Sequence, residues 1–193
     1  MSDPATAPSA PVLKVLGIPG SLRRASYNRA LLVAAQELAP PEMRIDIHDL
    51  HGLPLFDEDV EAQGVPDAVA ALRAAIAAAD ALLIATPEYN HGVPGVLKNA
   101  IDWASRPTRG SPLAGKPTAI FGASPGATGT ARAQSQLRQA FVFTRTPAVL
   151  QPEILVYRAH EKFDAEGRLT DETTRTFVRK LLDGLVDWTA RMR

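Results

Sequence analysis

Short apolar runs alternate with amphipathic helical patterns along most of this 193-residue chain. Each aliphatic run of strand length leads into a stretch whose apolar residues recur three or four positions apart, as on one face of a helix. The predicted strands are residues 12–18, 44–49, 81–86, 117–123 and 148–157. Regular alternation of strands and helices is typical of strand-helix-strand units on a mostly parallel sheet, so the pattern predicts an α/β fold.

Five strands and five helices fit one three-layer sandwich, in which helices cover both faces of a five-stranded parallel sheet. This count suits the flavodoxin-like sheet. Residues 1–11 contain three prolines among small residues, so we expect a flexible tail and a single domain over residues 12–193. A helix is predicted from Pro94, as a first-turn residue, to about Ser105. The long polar stretch between the second strand and Gly64 is predicted to be a loop with a functional or interface role.

Charge and cysteine content narrow the classes of protein. Lysine plus arginine (21) equals aspartate plus glutamate (21), so no overall field favours nucleic acid or an anionic membrane. The absence of cysteine removes thiolate metal sites, iron-sulfur clusters and thiol nucleophiles, so redox chemistry would need a bound cofactor. The N-terminal sequence lacks the basic and apolar regions of a signal peptide, and no apolar run is long enough for membrane insertion. We therefore expect a cytoplasmic protein.

Three loops follow the carboxyl ends of strands one, three and four, where ligands bind in open parallel sheets. The first, residues 17–28, places Ser21, Ser26, Asn28 and a cation just before a helix, a combination that suits a phosphate monoester. An ordinary capped turn would use the same residue types, so both interpretations stay open. Neither G-x-G-x-x-G nor a P-loop is present, which disfavours a dinucleotide-binding Rossmann site and a P-loop NTPase.

The second and third loops add groups that suit a flat heteroaromatic ring. In residues 86–92, Tyr89 could cover a ring face while Asn90 and backbone amides bond its polar edge; the alternative is a polar turn with an exposed tyrosine. His91 is expected to be an exposed loop histidine and not a general base. The third loop, residues 124–129, is rich in glycine, so its backbone could approach the ring's other edge, or it could be a simple strand-to-helix turn.

With these loops the sequence resembles the NADPH-dependent FMN reductase family, the flavodoxin-like quinone, azo-compound and chromate reductases. The resemblance runs from about Val12 to Gln139. Its motifs are G-S-L-R-x-x-S-x-N at 20–28, L-P-L-F-D-E-D at 53–59, T-P-E-Y-N-H-G-V-P-G-V-L-K-N-A-I-D-W-A-S-R at 86–106, L-A-G-K-P at 113–117 and A-R-A-Q-x-Q-L-R at 131–138. The 86–106 segment is the most specific of them.

The resemblance implies a residue assignment for FMN. The phosphate would be held by the first loop, the isoalloxazine by the second, and the other edge of the ring by the third. The predicted cofactor-binding residues are Ser21, Arg23, Ser26, Tyr27, Asn28, Pro87, Glu88, Tyr89, Asn90, Ser124 and Gly126. No side chain is assigned as a catalytic acid or base and no metal ligand is assigned, because the flavin would carry the chemistry.

The resemblance also implies an activity. NADPH or NADH would pass hydride to flavin N5, and a small-molecule acceptor (a quinone, azo compound, chromate or free flavin) would then take two electrons in a ping-pong cycle. The family implies a homodimer or homotetramer, for which the 53–59 loop and the 94–106 helix are the candidate interface.

Two alternatives from other classes remain at the level of sequence. A flavodoxin-type electron carrier would bind the same cofactor without using nicotinamide, although the usual strong acidity of such carriers is missing here. A non-enzymatic flavin-binding module would hold the cofactor without hydride transfer. Reduction of bound flavin by nicotinamide distinguishes the enzyme from both.

Overall fold

The computed structural model describes residues 12–193, so the predicted tail at residues 1–11 lies outside the described residues. Five strands form one all-parallel sheet in the order β2-β1-β3-β4-β5. The strands are β1 (Leu13–Pro19), β2 (Met43–Ile47), β3 (Ala81–Ala85), β4 (Thr118–Ala123) and β5 (Ile154–Val156). The helices are α1 (Tyr27–Leu38), α2 (Glu58–Gln63), α3 (Asp67–Ala78), α4 (Gly95–Ala104), α5 (Ala131–Thr144) and α6 (Glu172–Met192). This confirms the predicted flavodoxin-like three-layer sandwich.

Alternating strand residues supply the two halves of the core. In β1, Leu13 and Val15 point to the cluster covered by α1 and α6, whereas Leu16 and Ile18 point to the cluster covered by α3, α4 and α5. Strand β3 is buried at all five residues, as expected for a central parallel strand with helices on both sides. Helices therefore cover both faces, and the carboxyl ends of the strands stay open to loops.

Two predicted elements differ from the structure. Strand β5 has three residues instead of ten, because Pro152 within the predicted range cannot donate a ladder hydrogen bond. Before it, Ala148 makes only an isolated bridge to Thr118. The stretch predicted as a loop before Gly64 contains the short helix α2, which begins where the Asp57 carboxylate accepts the Asp59 N–H at 2.8 Å.

Two smaller differences concern α4 and α6. Pro94 is the N-cap of α4 and not its first helical residue. Phe177 lies on the predicted apolar face of α6 but is partly exposed. No helix between residues 12 and 193 combines the length and the apolar character that crossing a membrane would require.

Candidate functional site at the carboxyl ends of three strands

The loop after β1 runs close beneath the loop after β3, since the Gly20 N–H donates to the Ala85 carbonyl at 2.8 Å. A Cβ at Gly20 would lie 3.0 Å from a Leu97 methyl and 3.2 Å from the Ala85 oxygen, so the close approach favours glycine. The loop then crosses the end of β3 and turns into α1.

Ser26 is the N-cap of α1, and its Oγ accepts the N–H groups of Asn28 at 3.2 Å and Arg29 at 3.4 Å. Both alternatives raised for this loop are compatible with that geometry, because a capping hydroxyl still has its own proton to donate. The positive end of the helix dipole adds to the attraction for an anion here. The loop is therefore a capped helix start with an O–H donor left over.

The side chain of Asn28 is engaged by the sheet. Its Nδ2 donates to the Ala123 carbonyl at 2.8 Å, and its Oδ1 accepts the Ala123 N–H at 2.9 Å. The residue is 2% exposed. Asn28 thus joins the start of α1 to the end of β4, a role that the sequence prediction of a phosphate contact did not include.

Ser21 and Tyr89 connect the first loop to the second. The two hydroxyl oxygens are 3.2 Å apart, and Ser21 Oγ also accepts the Arg23 N–H at 3.3 Å. Ser21 is buried, while Tyr89 is 51% exposed. The tyrosine ring is therefore oriented by a hydrogen bond at its tip, unlike the unanchored exposed tyrosine of the simpler interpretation.

A tight two-residue turn presents Asn90 and His91 to solvent. Backbone hydrogen bonds join Tyr89 and Gly92 in both directions, at 2.9 and 3.2 Å. Asn90 (φ 49°) and His91 (φ 62°) both adopt the left-handed conformation that such hairpin turns demand. His91 is exposed, as predicted.

The Glu88 carboxylate joins the second loop to the third. It accepts the N–H groups of Arg132 at 2.8 Å and Ala133 at 3.1 Å, at the start of α5, and the Arg132 guanidinium at 3.2 Å. Burial alone would raise the pKa of the Glu88 carboxyl, but these donors outweigh it and hold the pKa below the ordinary value of 4.5. The Glu88 side chain therefore caps the start of α5 and fixes it against the second loop. Pro87, the residue before it, is buried.

The third loop leaves β4 through positions where glycine is required. A Cβ at Gly122 would lie 2.2 Å from the Thr86 carbonyl oxygen, and one at Gly129 (φ 61°) would lie 2.8 Å from the backbone of Leu155. Between them, Ser124 Oγ accepts the Gly126 N–H at 3.1 Å, and Gly126 is exposed. The loop is folded tightly by itself and presents its backbone outward.

Sequence reasoning missed three residues of this arrangement. Arg132 holds Glu88, Gln136 accepts the Val93 N–H at 3.0 Å, and Ala123 holds Asn28 through its backbone. Arg132 and Gln136 both lie in the A-R-A-Q-x-Q-L-R motif, so that motif could have pointed to them. No motif could have pointed to Ala123, because Asn28 bonds its backbone and not its side chain.

The predicted residues thus lie at one edge of the sheet, on three loops that are bonded to one another. Within residues 12–193, no carboxylate lies within ion-pair distance of Arg23 or Arg24, and the Arg23 guanidinium lies 5.8 Å from the centre of the Tyr27 ring. Tyr27 itself packs against Phe163, with ring centres 5.4 Å apart. The site combines cations, a hydroxyl-capped helix start and a half-exposed aromatic ring.

Comparison with known proteins agrees with this geometry. The family model for NADPH-dependent FMN reductase matches residues 13–161. An NAD(P)H-dependent FMN reductase of Pseudomonas aeruginosa is 53% identical, with 94% of this chain and 97% of that protein covered, and a 2-hydroxy-1,4-benzoquinone reductase of Burkholderia is 44% identical over 91% and 96%. The flavoenzyme NAD(P)H:(acceptor) oxidoreductase FerB of Paracoccus denitrificans superposes with a TM-score of 0.83 at 39% identity, over 94% of this chain and 99% of that one.

The matched region contains all three loops of the site, and the matches extend over nearly the whole length of each relative. The resemblance noted from the sequence motifs is therefore confirmed, together with an oxidoreductase activity that uses FMN and NAD(P)H. The chain belongs to the NADPH-dependent FMN reductase family.

Proposed function

We propose that this protein is an FMN-dependent NAD(P)H oxidoreductase whose principal acceptors are quinones. The observation that carries the proposal is the joining of three strand-end loops around a hydroxyl-capped helix start, with the Tyr89 ring held by Ser21. Quinone reductases among the relatives support the acceptor class. Azo compounds, chromate and free flavin are further candidate acceptors of the same open site.

The residues present fit FMN. Ser26 has a hydroxyl proton to donate at the start of α1, and Arg23 supplies a cation with no carboxylate partner among residues 12–193, so a phosphate would find charge-assisted donors there. Tyr89, with Asn90 and Pro87, would hold the ring from the second loop, and Ser124 with Gly126 from the third. We assign Asn28 and Glu88 to positioning, since their side chains already bond β4 and α5.

When bound, FMN supplies the redox chemistry, accepting hydride from NAD(P)H and giving two electrons to the acceptor. The protein's part is to bind and orient. Ser21 fixes the Tyr89 hydroxyl, so the ring can cover a flat ligand without losing its direction. We assign no side chain of the site the role of holding or moving a proton. The half-exposed Tyr89 leaves the site open, which suits flat or small acceptors of several kinds.

The direct test is anaerobic loading with FMN, removal of free flavin, and addition of NADPH or NADH while flavin absorbance is recorded. Bleaching followed by recovery on addition of a quinone is the expected result. Retained FMN that neither nucleotide bleaches would overturn the proposal and favour an electron carrier or a flavin-binding module.

The assignment of Ser26 to the FMN phosphate has its own test. Ser26→Ala should weaken FMN binding about ten- to hundredfold, since a charge-assisted hydrogen bond contributes about 1.5–3 kcal/mol. Ser111→Ala is the matched control, because Ser111 is also buried and its Oγ also accepts a backbone N–H, from Leu113 at 3.2 Å. Equal FMN affinities of the two variants in a fluorescence titration would remove Ser26 from the site.

We also propose that the chain assembles as a homodimer or homotetramer in the cytoplasm, through the loop before α2. The Pro54 carbonyl accepts Asn99 Nδ2 at 2.8 Å and Trp103 Nε1 at 2.9 Å, and Asn99 Oδ1 accepts the Phe56 N–H at 2.7 Å. These bonds hold Leu55 outward, 83% exposed. Leu55→Asp should lower the mass measured by light scattering, and an unchanged mass would exclude this loop from the interface.

A further inference from the structure

A cleft of about 510 Å³ runs along the outer side of α1, opposite the turn formed by residues 164–169. Arg23, Ser26 and Tyr27 line its upper end, so it is continuous with the first loop of the candidate site. Its volume is sufficient for a nucleoside with a phosphate.

Charge is distributed unevenly along the cleft. Two of its arginines are neutralised within the protein, Arg29 by Asp49 and Arg168 by Asp164. At the end next to the first loop, the structure of residues 12–193 gives Arg24 no carboxylate within 4.0 Å, and the residue is exposed. Glu37 lies in the last turn of α1, about 15 Å along the helix from Tyr27 at 1.5 Å per residue. Its carboxylate is exposed and lies 4.0 Å from the Arg175 guanidinium, at the limit of an ion pair. The cleft thus offers a free cation at one end and a carboxylate at the other.

The middle of the cleft is apolar and shallow. Ala30, Val33 and Ala34 lie on one face of α1, since residues three and four apart are neighbours on a helix surface. Leu169 faces them from the turn. Val33 is 42% exposed and Ala30 partly exposed, while Ala34 is buried beneath them at 3%, so small side chains leave a flat apolar wall. Such a wall suits an aromatic base lying against it.

We propose that this cleft binds the adenosine part of NADPH, with the 2′-phosphate at Arg24. A guanidinium binds a phosphate monoester through paired hydrogen bonds, the wall of Ala30, Val33 and Ala34 accommodates the adenine, and the Glu37 carboxylate accepts from its amino group. Arg23 is assigned to the FMN phosphate, which leaves Arg24 for the second phosphate. This inference rests on the proposed function, because it identifies the site of that reaction's hydride donor.

The probe is adenosine 2′,5′-bisphosphate, titrated into the FMN-loaded protein by calorimetry. Arg24→Ala should weaken its binding about tenfold while changing the affinity for adenosine 5′-monophosphate less than about twofold, because only the 2′-phosphate contact is lost. Val33→Trp should weaken both ligands by filling the cleft. Arg44→Ala is the matched control, an exposed arginine on β2 whose guanidinium pairs with Asp46 at 3.1 Å, and it should change neither affinity.

Steady-state kinetics provide the second readout. Arg24→Ala should raise the KM for NADPH about tenfold and leave both kcat and the KM for NADH unchanged, as expected for loss of a contact to the 2′-phosphate alone. Unchanged bisphosphate affinity in Arg24→Ala, or equal effects on NADPH and NADH, would overturn the proposal. Flavin bleaching by NADPH in the wild-type protein is scored separately, so failure of the cleft is distinguishable from failure of the proposed function.

Discussion

Asn28→Ala tests whether the amide at the start of α1 supports the fold or binds a ligand. In the structure its two hydrogen bonds, at 2.8 and 2.9 Å, both go to the backbone of Ala123, and the side chain is almost fully buried. Removing the amide leaves one buried N–H and one buried carbonyl at the end of β4 without these partners. The perturbation therefore acts first on the contact between α1 and the central sheet.

The magnitude follows from those two groups. A buried polar group that loses its partner costs about 1–3 kcal/mol, so the free energy of unfolding should fall by about 3 kcal/mol. In a chain of this size that corresponds to a fall in Tm of about 6–12 °C. Gln36→Ala is the control on the same helix, because Gln36 is exposed and makes one bond, to the Ile45 carbonyl at 2.8 Å. Its loss should cost about 1 kcal/mol or less.

The assay is thermal unfolding of the FMN-free protein by circular dichroism, with FMN affinity measured separately below the transition. Asn28→Asp adds a second check: the carboxylate keeps the acceptor for the Ala123 N–H but opposes the Ala123 carbonyl, so this variant should be no more stable than Asn28→Ala. A variant with the wild-type Tm and a tenfold weaker FMN affinity would refute the reasoning and make Asn28 a direct ligand.

Three further predictions concern other contacts. Gly122→Ala should abolish soluble, folded protein, because its Cβ would lie 2.2 Å from a backbone carbonyl oxygen, whereas Gly95→Ala has open space and should express normally. Glu88→Gln should lower the free energy of unfolding by about 1–2 kcal/mol at pH 7, and since the pKa of Glu88 is depressed, the difference in urea midpoints should shrink as the pH falls below 4.5. Asp171→Asn should cost about 2 kcal/mol, because the bond from Lys162 is the main cause that lowers the pKa of Asp171 from 3.8 to about 2. That stabilisation is complete above pH 3.8 and lost as the pH falls through 2, so a constant difference in urea midpoints between pH 7 and 2.5 would contradict it.

The sequence predicted the layers better than the contacts that join them. Strand and helix identity follow from local periodicity, and the buried run at 81–85 or the apolar spacing of α5 is visible in a short window. Strand β5 was overestimated because apolar composition extends across Pro152, which cannot donate to the ladder. Helix α2 was missed because it has no buried residue and therefore no apolar face to detect.

In the candidate site, too, residue types could be seen in the local sequence, whereas the long-range contacts could not. Residue types at 20–28 and 86–92 suggested groups for a phosphate and a flat ring, and the structure brings the two loops together through Ser21 and Tyr89. The ligand contacts themselves stay a prediction. The roles of Asn28 and Glu88 were not visible, because their partners lie 95 and 44–45 positions away and are largely backbone groups. Long-range pairing of this kind is decided by the packed sheet and not by local sequence.

The hydrogen bonds from Gly20 to Ala85, from Asn28 to Ala123 and from Glu88 to the start of α5 connect three loops that the chain forms far apart. These bonds exist before any ligand arrives and join each loop to a neighbouring strand end or helix start, so a ligand does not have to form them. Binding then loses little affinity to loop ordering, and association should be a single fast step without a slow rearrangement. The same hydrogen bonds imply that the three loops loosen together, so release of the ligand would be cooperative across the carboxyl ends of the strands.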